Sequence, residues 1–79
     1  MTMYLEVGNA AKVEFVCSLD EFRHRPMVRI DNNTWSIHVP ASHYFTYYYL
    51  VDGEAHIPDC RLRETDDFGS ENCIYEPTM

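Results

Sequence analysis

The stretch Tyr44–Gly53, with the sequence YFTYYYLVDG, constrains the fold more than any other part of the chain. Its first eight residues are aromatic, β-branched or large and apolar, the types that suit a pleated, half-buried surface. Asp52-Gly53 then supplies the residues typical of a tight hairpin turn. Alternation assigns Phe45, Tyr47, Tyr49 and Val51 to one face and Tyr44, Thr46, Tyr48 and Leu50 to the other. We therefore predict a long central strand with both faces in use.

Shorter segments with strand-like composition flank this stretch, and none has helical periodicity. We predict strands at Met3–Val7, Lys12–Ser18, Met27–Ile30, Thr34–Val39, Glu54–Ile57 and Glu71–Tyr75. Asp20–Pro26 and Asp59–Ser70 are polar and irregular, and Pro26 cannot donate to a ladder, so both segments are expected to be loops. About seven short strands separated by turn residues predict an all-β fold, an antiparallel β-sandwich. Its core is expected to include Phe15, Trp35, Tyr47 and Tyr49.

Length and charge limit the possible functions. The 79 residues suffice for one domain, residues 1–79, and contain no apolar run of the roughly 18 residues that a bilayer requires. The start of the chain has neither the basic region nor the apolar centre of a secretory signal, so we expect a cytoplasmic location. A formal net charge of -7 disfavours nucleic acids and anionic membranes as partners.

The cysteines do not form a recognisable pattern. Cys17, Cys60 and Cys73 are odd in number and include no Cys-x-x-Cys pair. This spacing argues against a disulfide framework and against a zinc site, so we expect three reduced thiols.

The histidines predict neither a metal site nor an active site. His24, His38, His43 and His56 do not have the spacing of metal ligands. His56 and Cys60 are near each other in sequence, but nothing accompanies them that would orient a base or stabilise an oxyanion. We therefore expect no catalytic residues, no cofactor and no enzyme activity.

The order of motifs between residues 11 and 75 resembles the glycogen-binding, or family 48, carbohydrate-binding module found in kinase β subunits, isoamylases and branching enzymes. The matching segments are Cys17–Phe22, Arg25–Met27, Asn32–Trp35, Val39-Pro40, Tyr47–Gly53 and Gly69–Ile74. The most specific of them are the Tyr-x-aromatic-x-Val-Asp-Gly element and the later Gly-x-x-Asn. The resemblance implies an immunoglobulin-like, early-set β-sandwich that binds α-1,4-glucan.

The resemblance also implies a binding site. Sugar rings in this family stack on tryptophans, because the C–H face of glucose packs against an aromatic ring. Phe22 stands at the place of the first tryptophan, and Ala55 at the place of the second. The site implied for this chain consists of Phe22, Tyr48, Phe68, Ser70 and Asn72.

A second function remains open beside glucan binding. Tyrosine-rich faces also suit protein interfaces, and unpaired strand edges attract partner strands. The alternative is a protein–protein interaction or self-association module on the same fold, with a protein partner or a second copy of the chain as ligand.

Overall fold

The computed structural model of the chain describes residues 1–40, 42–65, 67 and 69–77. Within these residues the chain forms nine strands and one turn of 3-10 helix, Ser18–Asp20. The strands are β1 (Thr2–Glu6), β2 (Val13–Cys17), β3 (Arg25–Pro26), β4 (Val28–Arg29), β5 (Thr34–His38), β6 (Phe45–Val51), β7 (Glu54–His56), β8 (Arg63–Thr65) and β9 (Glu71–Tyr75). No helix among the described residues is long and apolar enough to cross a membrane.

The strands form two antiparallel sheets whose inner faces share one core. The three-stranded sheet has the order β1-β5-β4, and the six-stranded sheet has the order β3-β2-β6-β9-β8, with β7 also paired to β6. Buried residues from both sheets form a single cluster: Leu5, Ala10, Val13, Phe15, Cys17, Met27, Trp35, Val39, Phe45 and Tyr49. The predicted all-β, antiparallel sandwich is confirmed, whereas the immunoglobulin-like, early-set topology stays a prediction.

Strand β6 is the centre of the six-stranded sheet, as its sequence predicts. One edge pairs with β2 over Tyr47–Val51. The other edge is shared, because β9 pairs with Phe45–Tyr47 and β7 pairs with Tyr49–Val51. The φ angles of Asp52 and Gly53 are 51° and 87°. Positive φ at both central residues matches the type I′ turn, whose twist suits a two-residue hairpin.

Asp52 also fastens this turn to the start of β2. Its Oδ1 accepts hydrogen bonds from the backbone N–H groups of Ala11 and Lys12, at 2.9 and 2.8 Å. The N–H of Asp52 in turn donates to the carbonyl oxygen of Lys12 at 2.8 Å. The Val51-Asp52-Gly53 motif is therefore a structural clamp between two strands.

The inner face of the six-stranded sheet carries a cluster of aromatic rings. The ring centroid of Phe15 lies 5.7 Å from that of Tyr47 and 5.7 Å from that of Tyr49. Phe45 stacks on Tyr75 with a centroid distance of 4.9 Å. Burial raises the pKa of Tyr49, and the neighbouring Tyr47 adds to the shift. The predicted core residues are thus in the core, with Tyr47 half-buried at its margin.

Two of the predicted loops contain strands. Arg25–Pro26, at the end of the predicted loop Asp20–Pro26, pairs with β2 as β3. A proline is tolerated there because β3 is an edge strand, where a missing N–H faces no partner. The N–H of Met27 then donates to the carbonyl oxygen of Val13, and the chain crosses to the other sheet as β4. The second loop, Asp59–Ser70, contains β8.

The prediction of three reduced thiols is wrong. Cys60 and Cys73 form a disulfide, with Cα atoms 6.0 Å apart, and the free thiol is the buried Cys17. The pairing arises because the segment after β7 folds back against β9, where the N–H of Ile74 donates to the carbonyl oxygen of Leu62 at 2.9 Å. Sequence spacing does not reveal this approach.

Candidate functional site

The outer face of the six-stranded sheet, the face turned away from the other sheet, carries the side chains that alternation removes from the core. Tyr48 lies opposite Val16 of β2, and Thr46 lies opposite Ile74 of β9. Several of these residues are nevertheless buried, including Val16 at 0% and Asn72 at 6% exposure. Other parts of the chain therefore cover some of the outer face of this sheet.

A groove of about 310 Å³ opens on this face, and we call it the Tyr48 groove. It is lined by Tyr48, Leu50, Gly53, Ala55, Ile57, Ser70, Glu71 and Asn72. Its origin is local: β9 leaves the edge of β6 at Tyr47, and β7 joins that edge at Tyr49. Tyr48 lies where the partner strand changes, so the groove that it lines lies between the two partner strands.

The structure brings three of the five predicted site residues together. Tyr48, Ser70 and Asn72 all line the Tyr48 groove, and Ala55 lines it as well. Phe22 does not line the groove. Phe68 lies outside the described residues.

Several lining residues were missed at the sequence level. Leu50 and Ile57 are half-buried and apolar, and Glu71 is exposed at the rim. The alternation that places Tyr48 on the outer face also places Leu50 there, so the sequence pattern alone could identify Leu50 as a lining residue. Ile57 and Glu71 became neighbours only through tertiary folding.

The chemistry of the Tyr48 groove suits a neutral ligand with one apolar face. An aromatic ring and aliphatic side chains lie beside the buried amide of Asn72 and the hydroxyl of Ser70, and Glu71 contributes to the rim. The Glu71 carboxylate lies 3.6 Å from an Nη atom of Arg63. The side chains of Ser70 and Asn72 are neutral, and hydroxyl groups of a ligand pair readily with both.

Phe22 lies in an unusual backbone conformation. Glu21 and Phe22 both have φ of 62°, and the N–H of Phe22 donates to the carbonyl oxygen of Cys17 at 2.9 Å. Left-handed φ is rare for a bulky side chain, and such strain is concentrated at functional sites. The turn leaves the Phe22 side chain 45% exposed. Its ring is accessible, but it is a separate feature from the groove.

A second cavity, of about 380 Å³, lies next to the free thiol. Its lining residues are Cys17, Leu19, Arg25, Val39, Pro40 and His43. Burial raises the pKa of the Cys17 thiol, and its sulfur lies 3.8 Å from Oδ1 of Asp20. Asp20 is itself paired with Nε of Arg25. A raised thiol pKa disfavours the nucleophilic thiolate form.

Residues 1–40, 42–65, 67 and 69–77 contain no group of three or more His, Cys, Asp or Glu side chains placed to hold a metal ion. No protein-family model matches the chain, and no curated protein matches it significantly.

Proposed function

We propose that this domain is a non-catalytic α-glucan-binding module and that the Tyr48 groove is its sugar site. The observation that carries the proposal is the convergence of Tyr48, Ser70 and Asn72 on one groove. Tyr48 belongs to one motif, on β6, whereas Ser70 and Asn72 belong to another, on β9 and the turn before it. Their meeting at a groove with both apolar and polar walls is the arrangement that sugar binding requires.

In the proposed complex, the C–H face of a glucose ring packs on Tyr48 while its hydroxyls reach the polar wall. Stacking of this kind uses the apolar face of the sugar and the exposed part of the tyrosine ring. Ser70 and Asn72 also line the groove, and their side chains offer both donors and acceptors. The volume is at the lower end of the roughly 300–1,000 Å³ of ligand pockets, so a few sugar units fill it.

Affinity electrophoresis in native gels containing glycogen tests the proposal. Dextran, an α-1,6-linked glucan, serves as the control polymer. We expect glycogen to retard the domain and Tyr48→Ala to weaken this affinity about tenfold, which is the effect of losing ~1.4 kcal/mol of stacking. Tyr44→Ala is the matched control, because Tyr44 is 53% exposed and does not line the groove.

The proposal fails if glycogen does not retard the unmodified domain. It also fails if Tyr48→Ala and Tyr44→Ala bind glycogen equally well, because the sugar would then be held elsewhere. Circular dichroism of both variants verifies that the sheet content is unchanged.

A further inference from the structure

Strand β1 is an edge strand whose outward backbone groups can be identified from its hydrogen bonds. Met1 exchanges hydrogen bonds with Val39 in both directions, at 3.0 and 2.8 Å, and the N–H of Val7 donates to the carbonyl oxygen of Asn33. Antiparallel pairing alternates along a strand, so the odd-numbered residues of β1 face β5. The backbone groups of Thr2, Tyr4 and Glu6 therefore point away from the sheet.

Apart from the carboxylate of Glu6 at its end, this edge lacks the features that usually protect an edge strand from pairing. Within the described part of the chain, β1 pairs with β5 alone, extends over five residues and contains neither proline nor lysine. Tyr4, at its centre, is 61% exposed. By contrast, β4 has two residues, and β8 carries Arg63, whose guanidinium pairs with neighbouring carboxylates.

We propose that β1 pairs antiparallel with β1 of a second copy of this chain, about a two-fold axis at Tyr4. In this register Tyr4 faces its own copy, and Thr2 faces Glu6. Each of these three facing pairs exchanges two backbone hydrogen bonds. The two three-stranded sheets then become one continuous six-stranded sheet. This proposal does not depend on sugar binding, because the Tyr48 groove lies on the other sheet.

The side chains of β1 are self-complementary in this register. On the outer face the two tyrosine rings are neighbours at the axis, and a threonine hydroxyl lies across from each Glu6 carboxylate. The two carboxylates are thus kept apart, which matters for a chain of net charge -7. On the inner face Met3 lies opposite Leu5, and both already pack against the core. A shift of one residue would place these apolar side chains opposite outward-facing polar ones.

The interface is small, so the dimer is expected to be reversible. A five-residue strand pair buries less than the roughly 1,200–2,000 Å² of a stable interface. Sedimentation equilibrium across about 1 μM to 1 mM protein covers the matching range of affinities. We expect the weight-average mass to rise from that of one chain towards that of two.

Substitutions on β1 test both the surface and the register. Tyr4→Lys places like charges opposite each other at the axis and is expected to weaken dimerisation at least tenfold. Thr2→Lys places a cation opposite Glu6 and is expected to strengthen it several-fold, an effect lost at about 1 M salt, where screening is nearly complete. Tyr44→Lys changes the net charge equally at an exposed position outside β1, and its dimerisation should match that of the unmodified chain.

Amide hydrogen exchange measured by NMR on the unmodified chain gives a readout that needs no variant. The amides of Tyr4 and Glu6 should gain protection as protein concentration rises, whereas those of Met3 and Leu5 should be protected throughout. A chain that stays monomeric at 1 mM overturns the proposal. So does a Tyr4→Lys variant that dimerises normally, or a Thr2→Lys variant that dimerises less well than Tyr44→Lys. Concentration-independent exchange at Tyr4 and Glu6 would also overturn it.

Discussion

The Cys60–Cys73 disulfide links the stability of the domain to the shape of the Tyr48 groove. Ile57 lies in the segment that ends at Cys60, and Asn72 is adjacent to Cys73, so the bond joins two walls of the groove. The bonded cysteines are 13 residues apart in sequence. Closing a loop of that length in the unfolded chain stabilises the fold by about 3 kcal/mol. We predict that Cys60→Ser lowers the free energy of unfolding by about this amount.

Urea denaturation followed by tryptophan fluorescence measures this difference, since Trp35 is buried in the core. For a domain of this size a loss of about 3 kcal/mol lowers Tm by about 12–24 °C. The same variant should bind glycogen more weakly, because the segment carrying Ile57 is no longer tied to β9. The matched control is dithiothreitol, which should destabilise the unmodified chain and leave Cys60→Ser unchanged.

Two results would refute this reasoning. Alkylation of the denatured, unreduced protein would reveal three free thiols if the bond were absent. A loss of stability below about 1 kcal/mol would show that the bond does not restrain the unfolded chain as its loop length requires.

The redox state of the natively purified protein also bears on its location, because disulfides persist mainly in oxidising compartments. The cytoplasmic location expected from the sequence predicts the reduced form instead.

Three further predictions concern single side chains. Asp52→Ala should lower the free energy of unfolding in urea by about 1–3 kcal/mol, because two backbone N–H groups lose their acceptor; an unchanged midpoint would contradict the clamp. Ala55→Trp adds an aromatic surface to the groove and should strengthen glycogen binding several-fold in affinity gels, whereas Val28→Trp, on the other sheet, should not. The backbone N–H of Asn33 is the main cause that lowers the pKa of Asp31. The ionised Asp31 carboxylate should therefore stabilise the fold above the unfolded pKa near 4, and this stabilisation should disappear as pH falls through the lower folded pKa. The free energy of unfolding of Asp31→Asn should then fall less steeply below pH 4 than that of the unmodified chain.

The central strand could be predicted because its information is local. Continuous alternation from Phe45 to Val51 determines which side chains face the core, and Asp52-Gly53 determines where the strand turns. The same pattern placed Tyr48 on the outer face. The resemblance to the carbohydrate-binding module then selected Ser70 and Asn72, which the structure places in the same groove as Tyr48.

The features that sequence reasoning missed depend on contacts between distant segments. Pro26 belongs to a strand because β3 is an edge strand, and pairing with β2 requires no N–H group at this position. Cys60 is close to Cys73 because the residues after β7 return to pair with β9. The charged, irregular sequence between the two cysteines does not predict this return. Phe22, chosen by its position in a motif, lies in a strained turn outside the groove. In each case the deciding interaction is tertiary, and no periodicity in the local sequence marks it.

An NMR titration of the isotopically labelled domain with a maltooligosaccharide tests the central proposal most directly. We expect chemical shift changes at the amides of Tyr48, Ser70 and Asn72, with β1 and β5 unaffected, and no changes with a β-1,4-linked oligosaccharide of equal length. Saturating shifts at the groove at millimolar sugar would support an α-glucan site there. The absence of shifts at that concentration, or shifts that bypass the groove, would contradict the account.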